Sequence, residues 1–212
     1  MASKKRKVTK ARKRASPAKR KPAKRASKVA KPKAPGTKTP KKVAPSSIPF
    51  PRAPGQKLYW LVKTEPDVFS FTDLMNAPSR TTHWDGIRNY TARNYLRDQM
   101  KAGDGVLVYH SNAEPPAIAG LAEVAREAYP DHTQFDAKHH HFDPAAKADN
   151  PAWYMVDIKG VAPLARSLPL PELKSVKSLT GMMLLQKGSR LSVQPVTAAE
   201  WAIVLDLGGV KS

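Results

Sequence analysis

The chain has 212 residues with 37 Lys and Arg against 17 Asp and Glu, no cysteine, and 20 prolines. Residues 1–57 carry 21 of the basic side chains and no acid, the first being Glu65; residues 58–212 hold 16 basic and 17 acidic groups, so the excess charge belongs to the N-terminal quarter. The absence of cysteine excludes a disulfide framework, a thiolate nucleophile and a zinc–thiolate site, and no apolar run is long enough to cross a bilayer.

Residues 1–45 are built almost wholly from Lys, Arg, Ala, Pro, Ser and Thr, with Val8, Val29 and Val43 as their only β-branched aliphatic residues. So little apolar surface cannot offset an ordering entropy of about 1 to 2 kcal/mol per residue. A disordered tail is expected. A self-repelling block of cations seeks a polyanion, and each phosphate it neutralises adds roughly 0.9 to the slope of log K against log salt. The composition resembles the tails of linker histones and of bacterial histone-like proteins; it implies affinity for nucleic acid without choice of sequence. Lys4, Lys5, Arg6 and Lys7 also have the form of a nuclear import signal.

The alphabet changes at Leu58, after Pro49, Pro51 and Pro54, and one folded domain over residues 58–212 is expected. LYWLVK at 58–63 predicts a buried strand. Ser70 ahead of FTDL, with Asp73 as the acid three residues on, predicts a capped helix start. Apolar and aromatic side chains at Ile87, Tyr90, Tyr95, Leu96 and Met100 follow a helical spacing that stops at Lys101 and Gly103. GVLVYH at 105–110 predicts a strand. AIAGLAEVAREAYP at 117–130 has helical propensity, but Gly120 and the preceding Pro115 and Pro116 favour a strand. A strand at 153–161, short helices in PLPELKSV and at 182–187, and a final helix capped by Thr197 complete the pattern. Mixed elements without βαβ alternation argue for an α+β fold in which a small curled sheet carries packed helices.

Between His132 and Asn150 lies a polar segment containing His132, Asp136, His139, His140, His141 and Asp143. Three adjacent histidines cannot all face one ion on regular structure, so an exposed loop without metal is expected, and no cofactor is implied. No phosphate-cradling glycine loop, metal-ligand spacing or deaminase signature occurs, and pairs such as His83 with Asp85 are too common to argue from. A binding protein rather than an enzyme is expected.

Six blocks together resemble the EVE domain: YWLVKTEPDVFSFTDL (59–74), WDGIRNYTARNYLRD (84–98), GDGVLVYHS (103–111), AYPDHTQFD (128–136), WYMVDI (153–158) and GSRLSVQPVT (188–197). Departures are small, Thr64 standing where serine is commoner and Ile87 where valine is. The resemblance implies a PUA-like pseudo-barrel of mixed strands with flanking helices, and a reader of modified or flipped bases in DNA or RNA. It implies a base pocket of Thr64, Trp84, Asn89, Tyr90, Tyr109, His110, Ser111, Leu191 and Ser192, with Lys63, Arg88 and Arg190 as phosphate partners. A monomer is expected, located in a bacterial nucleoid, or in the nucleus if eukaryotic.

Residue types qualify these assignments. Trp60, Trp153 and Trp201 have apolar neighbours and read as core, whereas Trp84, between His83 and the Asp85-Gly86 turn, is easier to expose. Asn89 reads equally well as a helix cap. Tyr95 reads as packing, and the alternative to a base reader is an architectural protein in which the tail does everything.

Overall fold

The computed structural model describes residues 51–210; the expectations for the tail before Pro51 lie outside the described residues. Strand β1 (Tyr59–Thr64) is an interior strand, paired in parallel with β3 (Gly105–His110) and antiparallel with β6 (Val193–Val196). Its lack of polar alternation follows from burial on both faces. Trp60 and Val62 point to one hydrophobic cluster together with Val106 and Val108, while Leu61 points to a second with Leu107 and Tyr109.

The sheet continues through β4 (Ala117–Pro130) and β5 (Tyr154–Pro169), a long antiparallel pair, to β2 (Thr81–Trp84) at the far edge. The order is β2-β5-β4-β3-β1-β6, a mixed six-stranded sheet that is not closed. With its helices it makes an α+β architecture of the PUA-like kind. Gly120 decides the strand reading of 117–130: a Cβ there would lie 2.3 Å from the Phe71 ring, which packs onto the bare backbone. Pro195 is accommodated in β6 because that strand lies at the other edge of the sheet, where a missing N–H is tolerated.

Helix α1 (Phe71–Asn76) begins as the sequence predicts, Ser70 and Asp73 exchanging side-chain to backbone hydrogen bonds. The helix expected over 87–100 is shorter and divided. Asn89 caps α2 (Tyr90–Asn94) by accepting from the amides of Thr91 and Ala92, and residues Tyr95–Gln99 then widen into a π-type turn closed by Met100 N to Tyr95 O at 2.9 Å. α3 (Leu170–Ser175) and α4 (Ala198–Leu207) follow, α4 opening on a reciprocal Thr197–Glu200 cap. The helix expected at 182–187 is a single 3-10 turn, Met183–Leu185. Strands β2 and β6 were not evident in the sequence, and β5 runs to Pro169 rather than Val161. Among the described residues no helix is long and apolar enough to cross a membrane.

Arg52, ahead of the expected boundary at Leu58, is tied into the domain. Its guanidinium donates to both carboxylate oxygens of Asp104, at 2.9 and 2.6 Å, and to Gln99 O at 2.8 Å. Asp104 also accepts from Leu58 N and Trp60 Nε1. Burial works to raise this carboxyl, but Arg52 and the surrounding N–H donors outweigh it and hold it below the ordinary value.

Candidate nucleic-acid interface

The C-terminal ends of β1 and β3 converge on the segment before β6. Lys63 N donates to Ser192 O at 2.8 Å, and Ser111 N and Oγ donate to Thr64 O at 2.8 and 3.1 Å. These ties open a cleft of about 1110 Å³ bounded by Lys63, Thr64, Phe69, Trp84, Ser111 and Arg190. It is slightly larger than the roughly 300–1,000 Å³ usual for ligand pockets, so a nucleobase and its sugar fit.

One wall is aromatic. Phe69 meets Trp84 edge to face with centroids 6.4 Å apart. Trp84 lines the cleft but keeps only 7% exposure and belongs to the main core, so little of its indole is open to a ligand. The opposing rim carries Arg190, exposed, and Lys63, whose ammonium donates to Ser189 O at 3.3 Å and is pushed down by burial. Glu65 and Asp85 also line the cleft. Two cations and two carboxylates leave its lining with little net charge, so phosphate affinity must come from outside it.

The structure brings six of the residues implied by the family pattern to the cleft: Lys63, Thr64, Trp84, Ser111, Arg190 and Ser192. The others lie elsewhere. Asn89 is occupied as the α2 cap. Tyr90 is 62% exposed and stacks on Trp153 at 4.9 Å, outside the cleft lining. Tyr109 is buried in the second core cluster because the β3 pleat turns it to that face. His110 Nε2 accepts from Phe71 N at 2.9 Å, and burial lowers the imidazole pKa, which keeps it a neutral acceptor for the start of α1. Leu191 packs against the main core.

Arg88 is taken up in a structural ion pair. It donates to Asp131 Oδ2 at 2.7 Å, to Thr133 Oγ1 at 3.1 Å and to the His141 carbonyl, and lies 5.4 Å from the Trp153 ring centroid. Asp131 is fully buried. Burial alone would raise its carboxyl, but Arg88, Thr133 and the Gly86 amide hold it down. The pair locks the 84–88 turn against the 131–143 loop. That loop supplies two cleft residues that pattern reasoning missed, His140 and His141. His141 packs on Gly86, where φ is +72° and a Cβ would meet the imidazole at 2.1 Å, so glycine is required twice over. Phe69 was missed as well; its position just ahead of the Ser70 cap is the available signal.

The EVE domain matches residues 58–207. The chain belongs to the EVE family. It is 47% identical over 165 residues to human thymocyte nuclear protein 1, covering 70% of this chain and 73% of that protein. A crystal structure of human THYN1 in complex with 5-methylcytosine-containing DNA superposes with a TM-score of 0.69 at 44% identity, covering 74% of this chain and all of the other. A Leishmania major protein is also similar, at 47% identity and a TM-score of 0.68, over 73% of this chain and 96% of that one.

Proposed function

We propose that this EVE protein binds DNA and takes one modified or extruded base, of which 5-methylcytosine is the leading candidate, into the cleft between Phe69–Trp84 and Lys63–Arg190. The basic residues before Pro51 supply the phosphate affinity that the cleft lacks. The observation that carries the reading is the cleft itself, roomy and lined by the aromatic Phe69 and Trp84, by Thr64, Ser111 and Ser192, and by two cations. The THYN1 complex with methylated DNA supports DNA over RNA, and a methyl group as the mark. Extruding a base costs a few kcal/mol, which contacts with aromatic side chains worth about 1–3 kcal/mol can balance. With so little of Trp84 open, Phe69 carries the larger share of that contact.

Burying one methyl contributes about 0.8 kcal/mol, and apolar pockets discriminate a methylene by about 1–3 kcal/mol. A preference of up to tens-fold follows, not exclusion. The residues around the cleft read as a binding module and not as an enzyme, since none pairs a nucleophile with an oriented base. Location follows the polyanion, the nucleoid in a bacterium or the nucleus in a eukaryote. The test is a competition between duplexes differing in one 5-methylcytosine, measured with the full chain and with residues 51–212. A methyl preference kept by the truncated domain is expected; equal affinity for both duplexes at low salt overturns the reading and leaves an architectural binder.

A further inference from the structure

We propose that His139, His140 and His141 form a binding site for a divalent transition-metal ion, of the zinc and cobalt type, on the wall of the cleft. Each of the three imidazoles offers one nitrogen, and these atoms lie within 4.8 Å of one another. Two nitrogens bound to one tetrahedral ion at about 2.1 Å each lie about 3.4 Å apart, so side-chain rotations that bring the nitrogens about 1 to 1.5 Å closer close the site. Regular structure could not achieve this for consecutive residues; a run of tight turns does.

The loop is held from both ends. Asp136 accepts from Lys138 N at 2.9 Å, Asp143 accepts from Trp153 Nε1 at 2.7 Å and from Ala145 N at 2.9 Å, and Arg88 Nε donates to His141 O at 3.0 Å. The rings crowd together, with centroids 4.5 Å apart for His139 and His140 and 3.8 Å for His140 and His141. A second observation points to a ligand: His141 Nδ1 is buried and has no hydrogen-bond partner, a condition that native structures rarely leave unexplained.

Neighbouring charge is mixed: the Arg88 guanidinium disfavours positive charge at His141 and Asp85 favours it. The Arg88 guanidinium is matched by Asp131, and Asp85 adjoins the Gly86 backbone on which His141 packs. Ligation through His139 Nδ1 would give up the bond that nitrogen accepts from His141 N at 3.1 Å, because a neutral imidazole has one available lone pair. Imidazole donors without thiolate or carboxylate suit Zn²⁺, Co²⁺, Ni²⁺ and Cu²⁺ and not Mg²⁺ or Ca²⁺. Three protein ligands leave at least one coordination position open. Because His140 and His141 line the cleft, that position is available to an oxygen or nitrogen of whatever the cleft holds.

The experiment titrates the untagged full chain with Zn²⁺ by calorimetry and with Co²⁺ by visible absorption, and repeats both with Mg²⁺ as a control for charge alone. One Zn²⁺ per chain, a Co²⁺ ligand-field spectrum, and thermal stabilisation that a chelator reverses are expected. His140 is exposed, so His140→Ala should fold normally while weakening Zn²⁺ at least tenfold. His139→Ala should do the same, and His132→Ala should leave binding unchanged. Absence of Zn²⁺ binding, or binding equally strong in His140→Ala and His139→Ala, overturns the proposal.

Discussion

Replacing Arg88 separates two roles with opposite signatures. As a phosphate contact its removal would leave stability alone and lower the salt slope of DNA binding by about 0.9. As the partner of Asp131 its removal strands a fully buried carboxylate. Breaking a buried pair from one side costs about 3–5 kcal/mol, and the low end applies because the Arg88 side chain keeps 23% exposure. For a domain of this size about 3 kcal/mol lowers Tm by about 6–12 °C. The pH dependence is diagnostic. In the wild type the folded Asp131 carboxyl titrates below its unfolded value, so the pair's stabilisation is complete above pH ~4 and is lost as pH falls through the folded pKa. Without Arg88 the carboxyl loses its largest lowering contact and titrates higher in the folded variant than in the folded wild type. The variant's deficit is then largest near neutral pH and shrinks on acidification. Thermal melts of Arg88→Ala between pH 3.5 and 7, with the Arg88→Ala/Asp131→Asn double variant beside it, measure this; the double variant should recover much of the loss. A pH-independent deficit under about 1 kcal/mol, with the salt slope reduced by one contact, would refute the assignment.

Arg190→Ala should leave Tm within about 2 °C, because the side chain is exposed, and should weaken DNA binding while lowering the salt slope by about 0.9 in an anisotropy titration. Gly86→Ala places a Cβ against the His141 ring at a positive φ. It should shift His141 and its loop, weakening discrimination between methylated and unmodified duplex more than total affinity, as read by the same competition.

What the sequence revealed and what it hid have a common physical basis. Strand β1 was legible because a strand buried on both faces is a continuous apolar run, and the α1 and α4 starts because their capping boxes are local. The short edge strands were not, since Thr81–Trp84 and Val193–Val196 owe their extended form to pairing with β5 and β1 rather than to their own composition. The same distinction divides the candidate site. Lys63, Thr64 and Ser111 fall at strand ends, where the chain leaves the sheet and its side chains meet open space. Arg88 and Tyr109 look identical in sequence to ligand contacts, and only the buried Asp131 and the pleat of β3 assign them to the interior. Arg52 shows the reverse: counted as one more tail cation, it is consumed by Asp104.

On the proposed reading, that anchor also makes the tail's contribution depend on duplex length. Arg52 and Asp104 sit beside Leu58 and Gly105, at the start of β1 and β3, whereas the cleft lies beyond Thr64 and Ser111 at their ends. The six residues of β1 therefore separate them. At about 3.3 Å per residue this is about 17 Å, or about five base pairs at 3.4 Å. On the proposed reading, cations joined to the chain at the Arg52 end would reach phosphates outside the segment that the cleft engages. On a duplex of about eight base pairs centred on the mark, full-length chain and residues 51–212 should differ little. On one of about twenty, the full chain should bind much more tightly at low salt and with a steeper salt slope, while the truncated domain gains little from the added length. A tail that enhanced short and long duplexes equally would mean that it folds back over the cleft's own phosphates, and division of labour between the two ends of β1 would be wrong.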